Sequence, residues 1–177
     1  MAKTDYKQLL DSGCPVFYLY SQQEYLVQRQ AAKLLELLSR EDTEVTQLDG
    51  PVPSLEEIIA SAGTISFFGT RRVIYIPGLA PGSYSDKDLK EFCEVLSQAE
   101  NSVFLLTSVF ADKKAASGKR VTTLIGHCRK IGFVQELALP TQRDLIRLLQ
   151  QQAGEVEATL PDPVARELIE RCGQDPY

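Results

Sequence analysis

Residues 63–76 read GTISFFGTRRVIYI. The second half, Arg72-Val73-Ile74-Tyr75-Ile76, is a short β-rich run of the kind buried in the middle of a parallel sheet. The first half ends a helix and then presents two adjacent rings, Phe67 and Phe68, followed at once by Gly69 and the pair Arg71-Arg72. Neighbouring side chains in a turn diverge, so two rings in succession do not both enter one core. Spacing alone favours packing under the sheet, because apolar residues are usually core. A paired aromatic wedge beside a strand edge is the alternative, and that is a docking knob.

Outward from this stretch, β-prone runs alternate with helical ones. Residues 6–10 form a lead helix that Gly13 ends. After Pro15 the run Val16-Phe17-Tyr18-Leu19-Tyr20 is continuous and β-prone, as in a strand covered on both faces. Ser21 is placed to cap the next helix, with Glu24 completing a capping box. That helix reaches about Leu38, with Leu26, Val27, Ala31, Leu34, Leu35 and Leu38 at helical spacing. Residues 45–48 make a second strand. Ser54 caps a helix, Glu57 closes its box, and Leu55, Ile58 and Ile59 face inward. Pro77-Gly78 ends the strand of the opening stretch, and the Gly/Pro/Ser-rich residues 78–85 read as a mobile loop. Asp86-Lys87-Asp88 begins a helix carrying Leu89, Phe92, Val95 and Leu96. Residues 102–107 and 132–136 are the last two strands. Helices then follow from Thr141 to about Gly154 and over residues 161–172. The pattern is α/β: a mainly parallel five-stranded sheet flanked by helices over residues 1–140. A small, partial helical domain follows over 141–177, and the chain reads as cut from something longer.

The chain has 177 residues and a net charge of −5, which argues against a general nucleic-acid coat. No apolar run has the length of a membrane span, the N-terminus carries no signal-peptide core, and a cytoplasmic protein is expected. Cys14, Cys93, Cys128 and Cys172 form no C-x-x-C pair, and no metal site is expected from their spacing. His127 and Cys128 are sequence neighbours that point apart on a helix, which removes them as a nucleophile pair. Residues 111–130 hold Lys113, Lys114, Lys119, Arg120, Arg129 and Lys130 against the single acid Asp112. Such a patch fits a phosphate backbone or a solvated helix face with a flexible loop.

The phosphate site that this architecture often carries is missing. A phosphate loop after the first strand needs G-x-x-x-x-G-K-[ST], whose glycine amides and lysine cradle phosphates. Residues 20–26 read YSQQEYL, with no glycine, no lysine and a carboxylate at Glu24. Gly118-Lys119-Arg120 is a decoy, since position 113 is Lys and no Ser or Thr follows Lys119. The strand at 73–76 ends in Pro77 rather than in acids that would hold Mg²⁺. No cofactor is expected, and an interaction module is expected instead of an enzyme.

Four pieces resemble one family, the delta subunits of the bacterial DNA polymerase III clamp loader. They are PVFYLYSQQEYLVQRQ, TISFFGTRRVIYI, SVFLLTS and ARELIERCGQDPY. The second is similar to the family's "Leu or Phe, Phe, Gly, x, x, Arg" approach to a central strand. Ser21 stands where the family usually has Gly, and Pro176-Tyr177 where a Leu is common. The resemblance implies an AAA+ core without a working phosphate loop, then part of a lid, with a C-terminal collar domain beyond residue 177. It implies a non-catalytic subunit of the DNA-directed DNA polymerase holoenzyme, one that binds the ring-shaped sliding clamp (the beta subunit) and helps open it. By motif the clamp-binding residues are Phe67 and Phe68, with Ile65, Ser66 and Gly69 beside them, and this reverses the burial expectation. The implied partners are the clamp, the gamma/tau and delta-prime subunits through the collar, and primer-template DNA, with Lys113, Lys114, Lys119 and Arg120 as contacts. Two alternatives stay open: a nucleotide-using enzyme with an unusual phosphate site, and a degenerate AAA+ adaptor for another replication or repair partner.

Overall fold

Alternation of side chains along the strands sorts this protein into two apolar layers. The computed structural model describes residues 6–39, 43–63, 71–98, 102–138 and 141–172. Its elements run α1 (Tyr6–Asp11), β1 (Val16–Ser21), α2 (Glu24–Leu38), β2 (Thr43–Gln47), α3 (Leu55–Gly63), β3 (Arg71–Ile76), α4 (Asp86–Gln98), β4 (Ser102–Val109), α5 (Lys113–Ala116), α6 (Lys119–Ile131), β5 (Phe133–Glu136), α7 (Gln142–Glu155) and α8 (Asp162–Cys172). The five strands form one sheet, every pair parallel, in the order β2-β3-β4-β1-β5. In the register Tyr18 lies beside Leu106 and Val134, and Ile74 beside Phe104.

Successive strand residues point to opposite faces. Val16, Tyr18, Ile74, Ile76, Phe104 and Leu106 meet α3, α4 and α6 on one side. Phe17, Leu19, Val73, Val103 and Leu105 meet Leu10 of α1 and Ala31, Leu34 and Leu38 of α2 on the other. Covering on both faces explains why β1 is buried at all six positions and reads as a continuous apolar run.

Several local expectations are corrected. Ser21 does not cap α2. It is the last residue of β1, Gln23 holds the N-cap position, and no side-chain cap bond forms there. Residues 78–85 are pinned rather than mobile. Leu79 N–H donates to Thr107 O at 2.7 Å, Ala80 N–H to Pro51 O at 2.7 Å, and Tyr84 Oη to Pro53 O at 2.7 Å. A 3-10 turn at Pro81–Ser83 lies between them, and Leu79 and Tyr84 are buried. In α3 only Ile58 is fully buried, and Ile59 is exposed. The basic stretch is not merely a solvated face, because Val121, Leu124, Ile125 and Cys128 of α6 are core. The capping box of α3 is present: Glu57 N–H donates to Ser54 Oγ at 3.2 Å and Ser54 N–H to Glu57 Oε2 at 2.8 Å.

By contact density the chain forms two compact units, residues 1–137 and 138–177. In the second, α7 and α8 pack through Leu145, Ile146, Ala165 and Ile169. Thr141 and Asp144 make a reciprocal capping box at the start of α7. Gln150 Nε2 donates to Asp162 Oδ1 at 2.7 Å and so ties the two helices at their turn.

Candidate functional site

The carboxyl end of β1 is where an α/β fold of this kind usually takes its ligand. Here that end is closed by bonds within the chain. Ser21 Oγ accepts from Gln23 N–H at 3.2 Å and donates to Leu137 O at 2.6 Å. Ser21 O accepts from Phe110 N–H at 2.9 Å, and Tyr20 O from Leu137 N–H at 2.8 Å. Glu24 stands in the first turn of α2. A carboxylate there complements the positive end of the helix and opposes a phosphate. In the core layer that faces α3, α4 and α6, the Tyr18 hydroxyl bonds Ser108 Oγ at 2.8 Å, and Ser108 Oγ donates to Leu79 O at 2.6 Å. Burial pushes the Tyr18 phenol far up, so it remains a neutral donor.

The start of β3 is organised by Arg72. Its side chain is buried, although its partner Glu44 is exposed. Arg72 Nη1 donates to Ser61 O at 2.9 Å, in the last turn of α3, and Nη2 to Glu44 Oε2 at 2.9 Å, on β2. One guanidinium therefore ties α3 to β2 and β3. The expected clamp-binding residues Ile65, Ser66, Phe67, Phe68 and Gly69 lie outside the described residues.

The basic segment is divided by the fold. Lys113 and Lys114 are exposed on α5, whose N-cap Asp112 accepts from Ala115 N–H at 2.7 Å. Lys119 and Arg120 start α6 and face Asp86, the first residue of α4. Arg120 Nε lies 2.7 Å from Asp86 Oδ1, and Lys119 Nζ 3.5 Å from Oδ2. Sequence reading missed this pairing, because the partners are far apart in the chain. The hydrogen bond from Arg120, then the charges of Lys119 and Arg120, hold the Asp86 carboxyl below the usual Asp range. A depressed folded pKa contributes stability that is present above the unfolded pKa and lost as pH falls through the folded one. Asp86→Asn is therefore expected to lower Tm slightly near neutral pH, the effect being small for so exposed a group. The difference from wild type should shrink below about pH 4 and vanish in stronger acid. Thermal melts at a series of pH values check this.

His127 does not pair with Cys128. Its Nε2 lies 2.9 Å from Ser97 Oγ, across from α6 to α4, while Cys128 is fully buried. Burial raises the Cys128 thiol far above its ordinary range and raises Cys93 as well. Among the described residues no group of three or more His, Cys, Asp or Glu is placed to hold a metal ion. No described helix is long and apolar enough to cross a membrane.

No protein-family model matches the chain, and no curated protein matches it. Solved structures do. The Bacillus subtilis DNA clamp loader delta protein superposes with a TM-score of 0.55 at 20% identity, covering 93% of this chain and 50% of that one. A mutant of Thermotoga maritima RuvB gives 0.56 at 14% identity, covering 97% and 56%. The Aeropyrum pernix ORC2 protein gives 0.51 at 18% identity, covering 89% and 50%. The chain thus spans about half the length of the structures it matches. At these identities the likeness shows the fold alone: a parallel five-stranded α/β sheet flanked by helices.

Proposed function

We propose that this chain is part of a clamp-loader delta subunit: a non-catalytic AAA+-type module that binds the sliding clamp and helps open it. The observation that carries this reading is an AAA+-type sheet whose β1–α2 junction is sealed by its own hydrogen bonds, where an ATPase presents a glycine-rich cradle. The likeness to a clamp loader delta protein supports it at the level of fold. So does the motif ahead of β3, where Phe67 and Phe68 precede Gly69 and Arg72.

In this mechanism Phe67 and Phe68 enter an apolar pocket of the clamp, flanked by Ile65, Ser66 and Gly69. Differential contact with closed and open clamp shifts the population of the ring. The energy of ATP enters through other subunits, gamma/tau and delta-prime, held by a collar domain that the family carries after these residues. Lys113 and Lys114, exposed on α5, are cations of the basic segment offered to a primer-template backbone.

Two measurements test the reading. Calorimetry with Mg-ATP is expected to give no binding heat, and stoichiometric binding would restore the enzyme alternative. Surface-immobilised sliding clamp from the same source should retain the chain. Failure to do so while the chain is folded would leave the adaptor reading.

A further inference from the structure

α6 contains a glycine that the fold does not require. Gly126 sits in mid-helix, outside the left-handed region of φ, and a Cβ built there would meet nothing within 4 Å. Glycine in a helix interior is less favourable than alanine. A close approach of backbone or a positive φ would explain it, and neither is present. Gly126 instead lines a groove of about 510 Å³ between α4 and α6. With Leu89 and Cys93, both buried, it forms the groove's apolar floor. Exposed Lys90, Lys119 and Lys130 form a cationic rim, Lys90 lying 3.9 Å from Glu94 one turn along α4. One end of the groove already holds a carboxylate, Asp86, between Lys119 and Arg120.

We propose that this groove docks an acidic peptide segment through one apolar side chain: the side chain fills the gap left at Gly126, and flanking carboxylates meet Lys90, Lys119 and Lys130. Charge complementarity selects an acidic occupant. The apolar floor selects a peptide over a phosphodiester backbone, which has nothing to bury there. The groove is built from α4 and α6, and the proposal does not depend on the proposed clamp contact.

The test uses the 177-residue chain and two sets of labelled nonapeptides followed by fluorescence anisotropy. One set has Asp or Glu flanking a central Leu, Ile, Phe or Met; the other replaces every acid by its amide. The acidic set is expected to bind roughly tenfold or more tighter at low salt and to weaken as salt rises. Gly126→Leu should keep or raise Tm, because it adds helix propensity in open space, and should weaken peptide binding at least about tenfold. Lys130→Glu, at an exposed position, should weaken it with the fold intact. Equal binding of both sets, no binding by either, or indifference to Gly126→Leu overturns the proposal. So does single-stranded oligo-dT that binds in a Gly126→Leu-sensitive manner when the peptides do not.

Discussion

Replacing Phe67 and Phe68 together by alanine is expected to weaken binding to the sliding clamp by roughly 100-fold or more while leaving Tm nearly unchanged. Each ring buried in a partner's pocket contributes about 1.5–3 kcal/mol, and about 1.4 kcal/mol is a factor of ten. The same double variant separates docking from packing. Were both rings core, each truncation would cost the fold about 3–5 kcal/mol, and the melt would collapse before binding could be read. Loss of clamp binding in a still-folded variant places the function in residues 65–69. A folded variant that binds as wild type does sinks the wedge mechanism and sends the search elsewhere on the surface. Arg72 deserves a parallel variant, because it fixes α3 against β2 and β3 beside this segment.

Gly132→Ala is expected to destabilise the first unit by about 3 kcal/mol or more, whereas Gly126→Ala, six residues earlier, should stabilise it by about 0.5–1 kcal/mol. At Gly132, which follows α6, a Cβ would lie 2.3 Å from Val16 O and 2.9 Å from Val16 Cβ. Val16 is fully buried in β1, a strand held between β4 and β5, so it has nowhere to retreat. The strain is steric and not conformational, since Gly132 has extended backbone with φ −160°. At Gly126 the added methyl enters open space. Urea unfolding followed by circular dichroism reads both. Shifts of the same sign would show that the close approach at Val16 relaxes freely.

The sheet was legible because its signal is local. Continuous apolar runs such as Val16–Ser21 and Ser102–Val109 are what a strand covered on both faces must be, and helical spacing in α2 and α4 follows from one buried stripe. The reading of residues 78–85 failed for an equally physical reason. Gly, Pro and Ser indicate a turn, but what pins a turn is remote: Thr107 O, Pro51 O and Pro53 O accept its hydrogen bonds. The reading of the basic segment left out the buried side of α6, because charge on one side masks the stripe Val121, Leu124, Ile125 and Cys128 on the other.

By itself the sequence determined the alternation of strands and helices, the capping box at Ser54 and Glu57, and the lack of a glycine-lysine cradle after β1. These depend on side-chain chemistry and on spacings of two to four residues, which the backbone periods translate directly into structure. Only the tertiary structure decided that Arg72 bridges Glu44 and Ser61 O, that Asp86 is the partner of Lys119 and Arg120, and that Gly126 and Gly132 have opposite surroundings. Each of these is a meeting of groups from different elements. Their distances are set by how the helices settle on the sheet, and no local pattern in the chain encodes them.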